Sequence, residues 1–174
     1  DVAYQLTNDI SSRIESIQTK LALLAKSVPY CPDEASLEEF LDDRQETLGF
    51  SLLALIVDEG NTFPEGLGRQ ELKDLSGIKD SFAGNNSVVY AEGQSLIFSA
   101  PVYEDGTVTR VLAGVRSKEN IQALIQPKSF EGKGLSCIID SSGNVVISPT
   151  DVKPFLQLDN IFHSESDSDA RKSL

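Results

Sequence analysis

The sequence predicts an α+β fold, a long N-terminal helix packed on an antiparallel sheet, from three observations. Ile10, Ile14, Ile17, Leu21, Leu24 and Val28 recur at spacings of 4, 3, 4, 3 and 4, the narrow apolar stripe of a long helix. Between 87 and 116, three strand-length segments are separated only by Glu92-Gly93 and Glu104-Asp105-Gly106, turns of the hairpin kind, so the strands run as a meander. Apolar runs on either side of Asp58-Glu59-Gly60-Asn61 and of Asp140-Ser141-Ser142-Gly143 add two more hairpins.

The first helix ends at Pro29, because the residue before a proline avoids the α region and proline gives no amide to the ladder. Its stripe packs on its own domain, or pairs with a second copy through Ile10, Ile14, Ile17, Leu21 and Leu24, or does both at different heights, since a helix of roughly 25 residues overhangs a small domain. Pro32-Asp33 opens a second helix with Leu37, Phe40, Leu41 and Leu48 on one face, and Gly49 closes it. Asp33, Glu34, Glu38 and Glu39 load its first turns favourably for the helix dipole. Together with Asp42 and Asp43 they read as an exposed face rather than a calcium site, since no EF-hand spacing is present. Phe50 to Val57 is a strand that hairpins back through Thr62-Phe63. From Leu67 to Phe82 the helical signal is interrupted by Gly68 and Gly77, and one or two short helices over the sheet are expected. After the turn Gly84-Asn85-Asn86 come strands at 87–91, 95–103 and 108–116. Lys118 to Ile125 is helical, and Pro127 ends it.

The length of 174 residues fits one domain, or one and a fragment. With 15 basic against 27 acidic residues the formal charge is −12, a field that repels phosphate backbones, so nucleic acid is set aside as a partner. One histidine, His163, and two cysteines, Cys31 and Cys137, do not make the usual four-ligand Cys/His zinc site. CxxC, HExxH, GxSxG and GxxxxGK[ST] are all absent. No cofactor and no catalytic activity are expected. The longest apolar run, Leu52 to Val57, is far shorter than the roughly 20 residues a membrane helix needs. A start at Asp1 and the lack of any methionine suggest a piece of a longer protein, with any membrane anchor outside it.

The hairpin ending at Asn144 repeats the one ending at Asn61: an apolar run, an Asp and a Gly-Asn turn. This hints at an internal repeat whose second unit is cut short. The expected division is 1–28 for the long helix, 29–126 for a first module and 127–174 for the start of a second.

Taken together, the long helix, Ile56-Val57-Asp58-Glu59-Gly60-Asn61, Ala83-Gly84-Asn85-Asn86-Ser87-Val88, Ile97-Phe98-Ser99-Ala100-Pro101-Val102-Tyr103-Glu104-Asp105-Gly106, Val111-Leu112-Ala113-Gly114-Val115 and Ile138-Ile139-Asp140-Ser141-Ser142-Gly143-Asn144 resemble the Cache family. These are the PAS-like extracytoplasmic sensor modules of bacterial membrane receptors, here in the double arrangement. The resemblance implies a central antiparallel sheet of about five strands, a small-molecule pocket between sheet and covering helices, and an N-terminal helix that continues from a membrane segment. It also implies an output domain beyond this chain, such as a diguanylate cyclase or a histidine kinase.

Many members of that family bind amino acids through an aromatic, Arg and Asp set. Here there is no tryptophan, the region of the Arg and aromatic pair reads Ser76-Gly77-Ile78-Lys79-Asp80-Ser81, and the stretch that supplies the Asp reads Gly114-Val115-Arg116. Arg116 in place of a carboxylate points to a small carboxylate ligand, since guanidinium offers a bidentate fork. By position in the motif, Lys79, Tyr90 and Tyr103 would line the same pocket. The competing expectation is a ligand-free interaction module that dimerises the receptor. Cys31 and Cys137 could pair in an extracytoplasmic compartment, although Cys137 reads more simply as a buried thiol.

Overall fold

The computed structural model describes residues 2–58, 61–64, 75–91, 95–117, 119–121, 138–139 and 145–147. It divides into two compact units, residues 1–121 and 122–174. The expected domain boundary at 126–127, Cys137 and His163 lie outside the described residues.

Helix α1, Val2–Ser27, runs into a 3₁₀ turn, Val28–Tyr30, with Pro29 near its start. The chain stops being α-helical where proline forbids it. Helix α2, Glu34–Leu48, is capped at both ends as its sequence demands. Asp33 accepts from the Ser36 amide at 2.8 Å, and Gly49 takes φ +68°, a left-handed turn that closes on the carbonyls of Gln45 and Glu46. Hydrogen bonding to the Ser36 amide holds the Asp33 carboxyl below its ordinary value.

The sheet contains β1 (Leu52–Asp58), β2 (Asn61–Phe63), β3 (Ser87–Ala91), β4 (Ser95–Glu104) and β5 (Thr107–Arg116), all antiparallel, in the order β2-β1-β5-β4-β3. The expected N-terminal helix and five-stranded antiparallel sheet are both present. The first hairpin does not stand apart from the meander: β1 pairs with β5, Leu52 opposite Val115 through Ile56 opposite Val111. To reach β3 at the far edge, the chain crosses one sheet face, and helix α3, Leu75–Phe82, lies on that crossing.

Alternation along the strands assigns the two faces. Ile56, Ile97, Val111, Ala113 and Val115 form one cluster with Ile78 of α3. Leu53, Leu55, Phe98, Ala100, Val102 and Leu112 form the other face and are fully or almost fully buried. That second face is covered by α1 and α2. Gly114 lies on it, where an added Cβ would come within 2.7 Å of the Phe50 ring, and Phe50 meets Phe98 edge-to-face at 6.0 Å.

Along α1, Ile17, Leu21 and Leu24, and Val28 just beyond it, are buried within the protein's own fold. Three of the five residues of the expected seam, Ile17, Leu21 and Leu24, are thus packed within this chain, and Ile14 is half-buried. In the second unit, β6 (Ile138–Ile139) pairs antiparallel with β7 (Val145–Ile147).

Candidate functional site

Among the described residues of the first unit, the most deeply buried polar side chains lie where α3 meets the sheet. Ser81 and Ser99 are 0% and 1% exposed, and their hydroxyls share a hydrogen bond at 2.8 Å. Ser99 Oγ also lies 3.2 Å from the Gly77 carbonyl, to which it can donate. Two hydroxyls and a carbonyl thus satisfy one another inside an otherwise apolar face. Gly77 permits the approach: a Cβ there would sit 2.8 Å from Ser87 Oγ and 3.0 Å from Val89 Cγ1.

Ser99 also faces the opposite layer. Its carbonyl accepts from Gln18 Nε2 of α1 at 2.9 Å, so one residue of β4 is bonded to α3 by its hydroxyl and to α1 by its backbone. Gln18 Oε1 is buried without a hydrogen-bond partner. A half-satisfied buried amide is a costly arrangement, and a rotation of that side chain is one way to relieve it.

The four residues picked from the sequence do not converge. Lys79 is exposed on α3, on the side away from Ile78 and Ser81. Tyr103 is exposed, and its hydroxyl donates to the Gly84 carbonyl at 3.3 Å, just past the end of α3. Tyr90 lies opposite Leu96, and Leu96 opposite Arg116, so Tyr90 and Arg116 share the face that carries α1 and α2.

Arg116 is engaged by its own fold. Its guanidinium donates to the Leu48 carbonyl at the end of α2 and sits over the Phe50 ring, 5.5 Å from the centroid. Burial pulls it below its ordinary value, and it still carries its charge, which suits the negative end of a helix. One arm of the fork expected to hold a carboxylate, Nη2, is therefore bonded to a helix C-terminus. Nearby, the Ser51 amide donates to the Val115 carbonyl at 2.8 Å and Asn120 Nδ2 to the Gly49 carbonyl at 3.4 Å, so the corner between α2 and β1 is stapled to the end of β5.

Sequence reasoning missed Ser81, Ser99 and Gln18. A usable signal was present for one of them: Ser99 is the lone hydroxyl in the apolar run Leu96 to Val102. The contact to Gln18 joins residues 81 positions apart and had no local signature.

Among the described residues, no three His, Cys, Asp or Glu side chains are grouped to hold a metal ion, and no helix is long and apolar enough to cross a membrane. Cys31 is half-buried beyond the 3₁₀ turn.

A long helix lies on one face of the five-stranded antiparallel sheet, and a short helix, clamped by buried hydroxyls, lies on the other. No family model matches the sequence. The structure is similar to the ligand-binding domain of the Pseudomonas aeruginosa PAO1 amino acid chemoreceptor PctC in complex with GABA, with a TM-score of 0.64 and 19% identity over 84% of this chain and 73% of that one. It is likewise similar to the ligand-binding domain of the Campylobacter jejuni chemoreceptor Tlp3 in complex with L-norvaline, with a TM-score of 0.63 and 15% identity over 90% of this chain and 70% of that one. The sensor domain of the V. cholerae histidine kinase DctB matches with a TM-score of 0.58 and 18% identity over 83% and 62% of the two chains. The fold is that of these bacterial sensor domains.

Proposed function

We propose that this chain is the extracytoplasmic ligand-sensing part of a bacterial membrane receptor, which binds a small molecule on the α3 side of the sheet and relays occupancy through α1. The observation that carries the reading is Ser99, bonded to α3 on one side of the sheet and to Gln18 of α1 on the other. A ligand that shifts α3 changes what the Ser99 hydroxyl can reach, and the strand passes that change to the helix on its far side. Such a relay works only to the extent that the ligand prefers one arrangement. Moving the balance from 1:99 to 99:1 takes a preference of about 5.5 kcal/mol.

The site works by binding and not by turnover. The solved relatives were crystallised with GABA and L-norvaline, which supports a small molecule of that kind, a carboxylate included. Of the residues chosen from the sequence, Lys79 and Tyr103 lie on the α3 side and are the ones proposed to reach it. Tyr90 and Arg116 lie on the other face. Attachment to the membrane belongs to segments outside this chain, and any pairing of two copies along α1 falls to the stretch before Ile17.

The test is a thermal-shift panel of amino acids, small carboxylates, amines and sugars on the whole chain. A ligand at 100 times its Kd stabilises by about 2.7 kcal/mol, which raises the melting temperature by roughly 5–10 °C for a chain of this size. The expected result is a saturable shift that weakens in Ser81→Ala and in Lys79→Glu. A saturable shift that survives both changes would place the ligand elsewhere.

A further inference from the structure

A second feature lies on the other side of the sheet. Between the C-terminal half of α1 and α2 runs an open groove of about 290 Å³, with Leu23, Leu24, Phe40 and Leu48 along it and Lys20 and Arg44 at its rim. Leu23 is 58% exposed, a large apolar side chain of α1 that lies outside the buried stripe Ile17, Leu21 and Leu24. Arg44 lies over the Phe40 ring, 5.7 Å from its centroid, and 3.5 Å from the Asp43 carboxylate in a solvent-exposed pair that costs little to exchange. Apolar floor and cationic rim occur together in a chain whose net charge is −12.

Three kinds of occupant are separated by size and charge. The walls Lys20–Ser27 and Phe40–Leu48 are about two helical turns long, near 10–12 Å at 1.5 Å per residue. That is too short to supply the roughly 800 Å² per partner of a stable protein interface. A symmetric contact between two copies would gather Lys20 and Arg44 of each into one small patch, four cations at close quarters. A small amphiphile with one anionic head meets both features, and the volume falls just short of the about 300–1,000 Å³ of drug-sized sites, which suits a smaller molecule.

We propose that the α1–α2 groove is a second ligand site, which takes a free amphiphilic carboxylate of medium chain length, its tail along Leu23, Phe40 and Leu48 and its head between Lys20 and Arg44. This site does not depend on the α3 reading, since it shares no residue with it. An occupant there touches α1 directly and would bias the same helix from its outer side.

The test uses octanoate and the whole chain. Calorimetry and the methyl resonances of Leu23, Leu24 and Leu48 are followed below the concentration at which octanoate self-associates, with butyrate and octan-1-ol as controls for tail and head. Leu23→Asp and Lys20→Glu change exposed positions, and their unliganded melting curves verify that they fold. The expected result is saturable octanoate binding with shifts at those three leucines, weakened about tenfold or more by each variant, unchanged by Ser81→Ala, and weaker for both controls. The proposal is overturned by the absence of saturable binding, by octan-1-ol binding as well as octanoate, or by variants that bind like the parent. It is equally overturned if sedimentation shows the groove closed in a dimer that octanoate does not dissociate, or if the chain binds vesicles through Leu23 but not monomeric octanoate.

Discussion

Replacing Arg116 by Gln separates a structural role from a ligand-binding one. The change removes a charged donor to the Leu48 carbonyl and the cation above Phe50. A hydrogen bond from a charged group contributes about 1.5–3 kcal/mol and an exposed cation–π contact about 0.5–1 kcal/mol. The side chain is only half-buried and its Nε is already buried without a partner, so the low end of each range applies. A net loss of about 2 kcal/mol follows, which lowers the melting temperature of a chain of this size by roughly 4–8 °C. Circular dichroism melts at neutral pH measure it, and a ligand titration on the same variant measures affinity. The expected outcome is a less stable protein with ligand affinity unchanged at saturation. A variant that melts like the parent while losing its response to carboxylates would refute the reasoning and return Arg116 to the ligand.

Ser99→Ala takes from the Ser81 hydroxyl its partner in an apolar layer, and urea unfolding should report a loss of about 1–3 kcal/mol. Gly114→Ala drives a methyl against a Phe50 ring already backed by Phe98, and overpacking of this kind lowers stability by about 1–3 kcal/mol in the same assay. The Asp33 carboxyl is held below its ordinary value in the folded state. Its contribution is therefore present above the unfolded value, about 3.9, and is lost as pH falls through the folded one. Asp33→Ala should melt below the parent at neutral pH, and the two melting curves should converge as the solution is acidified past that range.

What could be read in the sequence was local. Pro29, Asp33 and Gly49 punctuate the helices by their own backbone chemistry, and the turns at 92–93 and 104–106 fix which strands are neighbours. The spacing of Ile17, Leu21, Leu24 and Val28 identified a helix with one apolar stripe but could not say what the stripe meets, since a sheet of the same chain and a second copy satisfy it equally. Strand order was beyond local reading: β1 joins β5 across more than fifty residues, and no turn signal encodes that. The surroundings of Arg116 were beyond local reading for a related reason. A motif position assigns a residue to a strand end, but the face it takes depends on pleat register, and here the register turns it toward the end of α2.

The central claim is that occupancy beside α3 is transmitted through Ser99 to α1. Amide hydrogen exchange, with and without a saturating compound from the panel, examines it most directly in the parent and in Gln18→Leu. The account predicts slowed exchange in Leu75–Phe82 and altered exchange around Gln18 in the parent, with the second effect lost in the variant. Protection confined to α3 while α1 exchanges as before, or an α1 response that Gln18→Leu leaves intact, would contradict it.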